Sequence, residues 1–132
     1  MISYQKVVWL VDDDPEDQFL VQRAFSSVQP VVVVEVLNDG DEVLPALEVT
    51  TRLPGLILLD LNMVRMDGLE TLEVVRGIPH FGQIPIVVLS TSNNPKDMER
   101  SKQLGAEAYY VKPFHYKGMV DLAAQLASEW LA

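Results

Sequence analysis

The sequence predicts an α/β fold, a doubly wound (βα)5 domain with a five-stranded parallel sheet. Three observations predict it. Apolar runs of strand length alternate five times with segments of helical periodicity. The runs at 7–11, 56–59, 86–89 and 108–111 are nearly free of polar residues, as strands covered on both faces require. Each of these four ends directly on an ionisable or hydroxyl residue: Asp12 and Asp13, Asp60, Ser90, and Lys112. In open α/β sheets, ligands bind outside the carboxyl ends of the strands.

The elements follow in order. Strand 1 covers 6–11. Helix 1 covers 15–28, with Asp14 as N-cap, Pro15 at the first helical position, and an inward stripe of Val21, Ala24, Phe25 and Val28. Strand 2 is the β-branched run 31–37. Asp39-Gly40-Asp41-Glu42 has capping-box spacing and opens helix 2, which runs to 49; Pro45 is awkward inside it and moves the start later. Strand 3 covers 56–60. Asp67-Gly68-Leu69-Glu70 repeats the cap-and-Glu spacing and opens helix 3, ending near Gly77. Strand 4 covers 84–89. Asn94-Pro95 starts helix 4 and Gly105 ends it. Helix 4 is the most polar of the five, so it is loosely held or faces a partner. Strand 5 covers 106–111. Helix 5 covers 116–131, with Met119, Leu122, Ala123, Leu126 and Trp130 on one face.

The chain of 132 residues has the size of one domain, read as 1–132 with no linker, repeat or spare length for an output domain. Cysteine is absent, which excludes disulfides and thiolate chemistry and fits a cytoplasmic protein. No apolar run reaches the roughly 18 residues of a membrane-spanning helix. The segment Met1-Ile2-Ser3-Tyr4-Gln5-Lys6 lacks the layout of a signal peptide. A net charge of −9 argues against nucleic acid and anionic membrane surfaces as partners.

Asp14 is explained as a helix cap. Asp12 and Asp13 precede it, and bringing them near Asp60 clusters like charges, which a hard cation such as Mg²⁺ relieves. Asp60 is then the natural nucleophile toward phosphorus, Lys112 a point charge for a second phosphoryl oxygen, and Ser90 a hydroxyl donor to a third. Singly, each residue has a plain structural explanation as a cap or a solvated side chain. Jointly they describe one site.

The chain resembles response-regulator receiver domains over its whole length. The resemblance is carried by Val-Asp-Asp-Asp-Pro at 11–15, Leu-Leu-Asp-Leu-Asn-Met at 58–63 and Met-Asp-Gly at 66–68. Val-Val-Leu-Ser-Thr-Ser at 87–92, Leu-Gly-Ala at 104–106 and Tyr-Val-Lys-Pro-Phe at 110–114 complete it. It implies a flavodoxin-like sheet of order 2-1-3-4-5, Asp60 as phosphoacceptor, and Asp13 as direct Mg²⁺ ligand with Asp12 acting through a metal-bound water. It further implies the Asn62 carbonyl as the remaining protein ligand, and Lys112 on the phosphoryl group. Ser90 and Tyr109 would be the switch pair, and the Lys112–Pro113 bond cis. One departure stands out: Val64 occupies the position where the family usually has Pro, which frees the loop after Asp60. Serine at 90, in place of the commoner threonine, keeps the hydroxyl.

The implied function is a stand-alone receiver, not an enzyme beyond transfer to and hydrolysis from its own Asp60. It would be phosphorylated by a sensor histidine kinase or histidine phosphotransfer protein. The Asp-Asp-Asp-Pro-Glu-Asp and Leu-Ser-Thr-Ser segments are similar to the small regulators that accompany bacterial phytochromes, which points to a phytochrome kinase. Output would pass to a protein partner, with homodimerisation through helix 4, strand 5 and helix 5 as an option. A hydrolase of the Asp-x-Asp type is disfavoured because Asn62 cannot transfer a proton. A flavin binder is disfavoured because three Asp residues at the first turn repel phosphate. A receiver that signals without phosphorylation is disfavoured because every expected reactive residue is present. His80 and His115 have no evident partner, Met63 and Met66 are expected to pack under the active loop, and Trp9 and Phe114 are read as core.

Overall fold

The computed structural model describes residues 6–131. The reading of the first residues as lacking a signal peptide falls largely on 1–5, outside the described residues. The elements are β1 (Lys6–Val11), α1 (Pro15–Phe25), β2 (Val32–Leu37), α2 (Val43–Val49) and β3 (Leu56–Leu59), then α3 (Gly68–Arg76), β4 (Ile86–Ser90), α4 (Pro95–Gln103), β5 (Ala108–Val111) and α5 (Tyr116–Trp130). All pairings are parallel and the strand order is β2-β1-β3-β4-β5, as the resemblance implied. No helix among the described residues is long and apolar enough to cross a membrane.

Strand alternation divides the core into two layers. Val8, Leu10, Leu56, Leu58, Val87 and Leu89 face α1 and α5, and meet Val21, Ala24, Phe25, Leu122, Ala123 and Leu126. Val7, Trp9, Val11, Ile57, Leu59, Ile86 and Val88 face the other way, onto Val43, Leu47, Leu72 and Val75 of α2 and α3. The predicted stripe of α1 is buried in full, and that of α5 is buried except for half-buried Trp130. On α4 the single buried residue is Ser101, in line with its polar sequence.

Several boundaries differ from expectation for local reasons. Helix α1 ends at Phe25, where the Ser26 N–H is shared between the Gln22 and Arg23 carbonyls; Val28 is buried from the turn that follows. Pro45 proves compatible with α2, because a single 3-10 turn at Gly40–Glu42 precedes it and Pro45 lies in the first helical turn, where N–H groups have no intrahelical acceptor. Strands β4 and β5 begin two residues later than expected, and β4 includes Ser90. Among the described residues the cis peptide bond is Gln29–Pro30, and Lys112–Pro113 is trans. The two isomers of an X–Pro bond differ by only about 0.5–1 kcal/mol, so the dipeptide itself does not select one. Phe114 is 98% exposed, which overturns its reading as core. It lies between β5 and α5, beyond the reach of either layer. Trp9 is buried, with its indole N–H donating to Glu35 Oε1 at 3.1 Å.

Candidate functional site

The register brings the strand tips together. Val11 pairs with Leu37 on one side and Leu59 on the other. The Asp12 N–H continues one ladder to the Leu37 carbonyl, and the Asp60 N–H continues the other to the Val11 carbonyl, each at 3.0 Å. One carboxylate oxygen from each of Asp12, Asp13 and Asp60 therefore falls within 4.8 Å of the other two. Asp12 and Asp60 are buried and Asp13 is more open. The Lys112 N–H donates to the Ser90 carbonyl at 2.8 Å, which sets these two residues side by side at the tips of β5 and β4.

The Lys112 side chain reaches back across the sheet. Its Nζ donates to Asp12 Oδ2 at 2.8 Å and to Asp17 Oδ2 at 2.7 Å, and lies 3.6 Å from Asp60 Oδ2. A second set of bonds aims the acids. Asp12 Oδ1 accepts the Asp14 N–H at 2.9 Å, and Asp60 Oδ1 accepts the Leu61 N–H at 2.8 Å. Gln18 Nε2 bridges the Asp12 carbonyl at 2.6 Å and Asn38 Oδ1 at 2.8 Å.

Three carboxylates, those of Asp12, Asp17 and Asp60, thus surround one ammonium, and Asp13 lies beside two of them. Burial pushes the Asp60 carboxyl up to about 6; Lys112 pulls it back, Asp12 adds to the rise, and the Leu61 and Asn62 N–H groups lower it. Burial likewise raises Asp12 against the pull of its Lys112 hydrogen bond. Burial alone would depress Lys112, but hydrogen bonds to Asp12 and Asp17 outweigh it and hold the ammonium charged. The uncompensated negative charge and the all-oxygen donor set suit a hard divalent cation.

Ser90 is fully buried, and its Oγ accepts the Ser92 N–H at 3.2 Å. The Tyr109 hydroxyl donates to the Ser92 carbonyl at 2.8 Å, and the ring packs on the core layer of α2 and α3. Ser92 Oγ donates to Asp97 Oδ2 on α4 at 2.6 Å. Ser92 is therefore the common neighbour of both expected switch residues and of α4. Asn62 is exposed on the loop after Asp60, which with Asp13, Met63, Val64, Asp67 and Asp97 lines the cleft mouth. Gly68 lies under that loop; a Cβ there would come within 2.3 Å of the Asp60 carbonyl oxygen. Met63 packs on the core as expected. His80 lies against Phe81, and both His80 and His115 are exposed.

Sequence reasoning missed Asp17, Gln18 and Asp39. A signal existed for Asp17: it is three residues past the Asp14 cap, so its side chain projects from the first helical turn over the strand tips. The sequence pattern marks Asp39 only as a helix cap. Its carboxylate also accepts the N–H groups of Arg65 and Met66 from the loop after Asp60, a contact between distant segments that local pattern does not reveal.

A parallel sheet of this order, with acids at the tips of β1 and β3 and a lysine at the tip of β5, defines a flavodoxin-like domain with a charged crevice at its strand ends. Comparison with known proteins identifies the family. The chain belongs to the response regulator receiver domain family, whose profile matches residues 8–124. Among its relatives is the response regulator Rcp1 of Synechocystis sp., 33% identical over 131 residues, covering 96% of this chain and 89% of that protein. The crystal structure of the Mn(2+)-bound form of Rcp1 superposes with a TM-score of 0.85, covering 96% of this chain and 94% of the other at 33% identity. The phosphorylated cyanobacterial phytochrome response regulator RcpA superposes with a TM-score of 0.91 at 31% identity, covering 98% and 96%. The chain is thus a receiver-domain response regulator whose relatives include phytochrome response regulators.

Proposed function

We propose that the chain acts as a receiver in the cytoplasm, phosphorylated on Asp60 in a Mg²⁺-dependent reaction. The observation that carries this reading is the Lys112 ammonium 3.6 Å from Asp60 Oδ2, beside three carboxylates with oxygens within 4.8 Å of each other. An Asp60 carboxyl near pKa 6 is largely ionised above pH 7, so a nucleophilic oxygen is available. That oxygen attacks the phosphorus of a phosphohistidine on a sensor kinase or phosphotransfer protein. The P–N bond breaks, its electron pair stays on the imidazole, and Asp60 is left as an acyl phosphate.

Lys112, already charged and anchored by Asp12 and Asp17, needs only a small shift to meet a phosphoryl oxygen. Asp12, Asp13, Asp60 and the Asn62 carbonyl would hold Mg²⁺. When bound, that ion offsets the charge that builds on the phosphoryl oxygens. Ser90 supplies a hydroxyl donor. Its capture of a phosphoryl oxygen would release the Ser92 N–H and alter the segment that Tyr109 holds. The signal would leave through α4, β5 and α5 toward a protein partner or a second copy of the chain.

The similarity to Rcp1 and RcpA supports a phytochrome-type kinase as donor, and the Mn(2+)-bound form of Rcp1 supports a divalent ion in this pocket. The test is intact mass after incubation with acetyl phosphate. Wild type with Mg²⁺ gains one phosphoryl group, and wild type in EDTA and Asp60→Asn gain none. Equal labelling of Asp60→Asn would overturn the assignment.

A further inference from the structure

Asp39 is a buried acid, 2% exposed, that the chemistry above does not use. Its Oδ1 accepts the Arg65 N–H at 3.0 Å, and its Oδ2 accepts the Met66 N–H at 2.9 Å and the Asp41 N–H at 3.2 Å. The Asp41 bond is the local cap of the turn before α2. Serine or asparagine would serve a cap equally well, so capping alone does not call for a buried charge. The other two bonds come from the segment after Asp60.

That segment has few ties of its own. The Gly68 N–H donates to the Leu61 carbonyl at 2.9 Å and closes 61–68 into a loop. Inside the loop, Met63 packs on the core while Val64 is 87% exposed. The Arg65 and Met66 N–H bonds tie its middle to the end of β2. The Arg65 side chain repeats the tie from outside, with Nε and Nη2 donating to Asp41 at 2.7 and 3.2 Å. Gly40 permits the approach, since a Cβ there would lie 2.4 Å from the Met66 carbonyl oxygen. Burial pushes the Asp39 carboxyl up, but the three N–H donors outweigh it and hold it below the usual range.

We infer that Asp39 is a positioning residue for the metal pocket: by clamping Arg65 and Met66 it fixes the loop that presents the Asn62 carbonyl beside Asp13 and Asp60. This inference rests on the metal reading proposed above.

The test is calorimetric titration of Mg²⁺ into wild type, Asp39→Asn and Val28→Ala, with amide exchange of residues 62–66 measured in EDTA. Val28→Ala opens a cavity in the opposite core layer and controls for lost stability. Asp39→Asn is expected to weaken Mg²⁺ binding about tenfold or more, the usual scale for residues that orient ligands, and to speed exchange at Arg65 and Met66. Val28→Ala is expected to leave the affinity within about twofold. If Asp39→Asn does not fold, Arg65→Pro removes one of the same donors from an exposed position, and a several-fold weakening is expected. Wild-type affinity in the clamp variant, or equal weakening in Val28→Ala, overturns the inference alone. A wild-type chain that binds no Mg²⁺ overturns the metal reading with it.

Discussion

Replacing Asp60 by Asn should stabilise the metal-free protein at pH 7.5. Asp60 is buried, faces Asp12, and has its carboxyl raised from 3.8 to about 6. A carboxyl whose folded pKa exceeds its unfolded value holds its proton longer in the fold, so ionising it opposes folding. The penalty is absent below about pH 3.8, grows between 3.8 and about 6, and is complete above that. At about 1.36 kcal/mol per unit, the shift corresponds to about 3 kcal/mol. Asparagine is isosteric and keeps an oxygen for the Leu61 N–H. Lys112 keeps Asp12 and Asp17, so no buried cation is orphaned. Urea unfolding in EDTA should therefore show Asp60→Asn more stable by about 1–3 kcal/mol at pH 7.5, with the gap shrinking toward pH 4. Saturating Mg²⁺ should close the gap by stabilising wild type. A variant no more stable than wild type at pH 7.5, or a gap that does not vary with pH, would refute the reasoning.

Other perturbations have equally definite outcomes. Lys112→Met removes the ammonium from among Asp12, Asp17 and Asp60; urea unfolding should show a loss of about 3–5 kcal/mol in EDTA, the cost of unpairing buried charge. Gly68→Ala drives a Cβ into the Asp60 carbonyl and the Leu61 Cα, and should lower stability by about 1–3 kcal/mol while slowing labelling by acetyl phosphate. Arg76→Ala strips donors from the Gly105 and Ile84 carbonyls at 3.0 and 2.8 Å; thermal unfolding should register a loss of about 1–3 kcal/mol with Mg²⁺ affinity unchanged.

Much of this protein could be read before its fold was known, and the reason is local. Strand and helix signals here are short-range: β-branched runs, caps at Asp14, Asp67 and Asn94, and the periodic stripes of α1 and α5 all appear where expected. The buried strands of an open parallel sheet all end at one edge, so the polar residues at their carboxyl ends meet in one crevice. That is why position alone could bring Asp12, Asp60, Ser90 and Lys112 to one crevice, where the structure places them.

What sequence could not decide depends on contacts between distant segments. Asp17 meets Lys112 across 95 positions, and Asp39 meets Arg65 across 26. Neither pairing has a period or a spacing rule, because it depends on strand order and crossover geometry. Phe114 misled because apolarity signals burial only if a layer exists to cover it. Helix ends such as that of α1, and the isomer at Lys112–Pro113, turn on energy differences too small for a few adjacent residues to determine. The primary structure determined the sheet, its helices and the chemical character of the pocket. Only the tertiary structure decided which charges share it, since burial and Coulomb interactions depend on distance in space rather than along the chain.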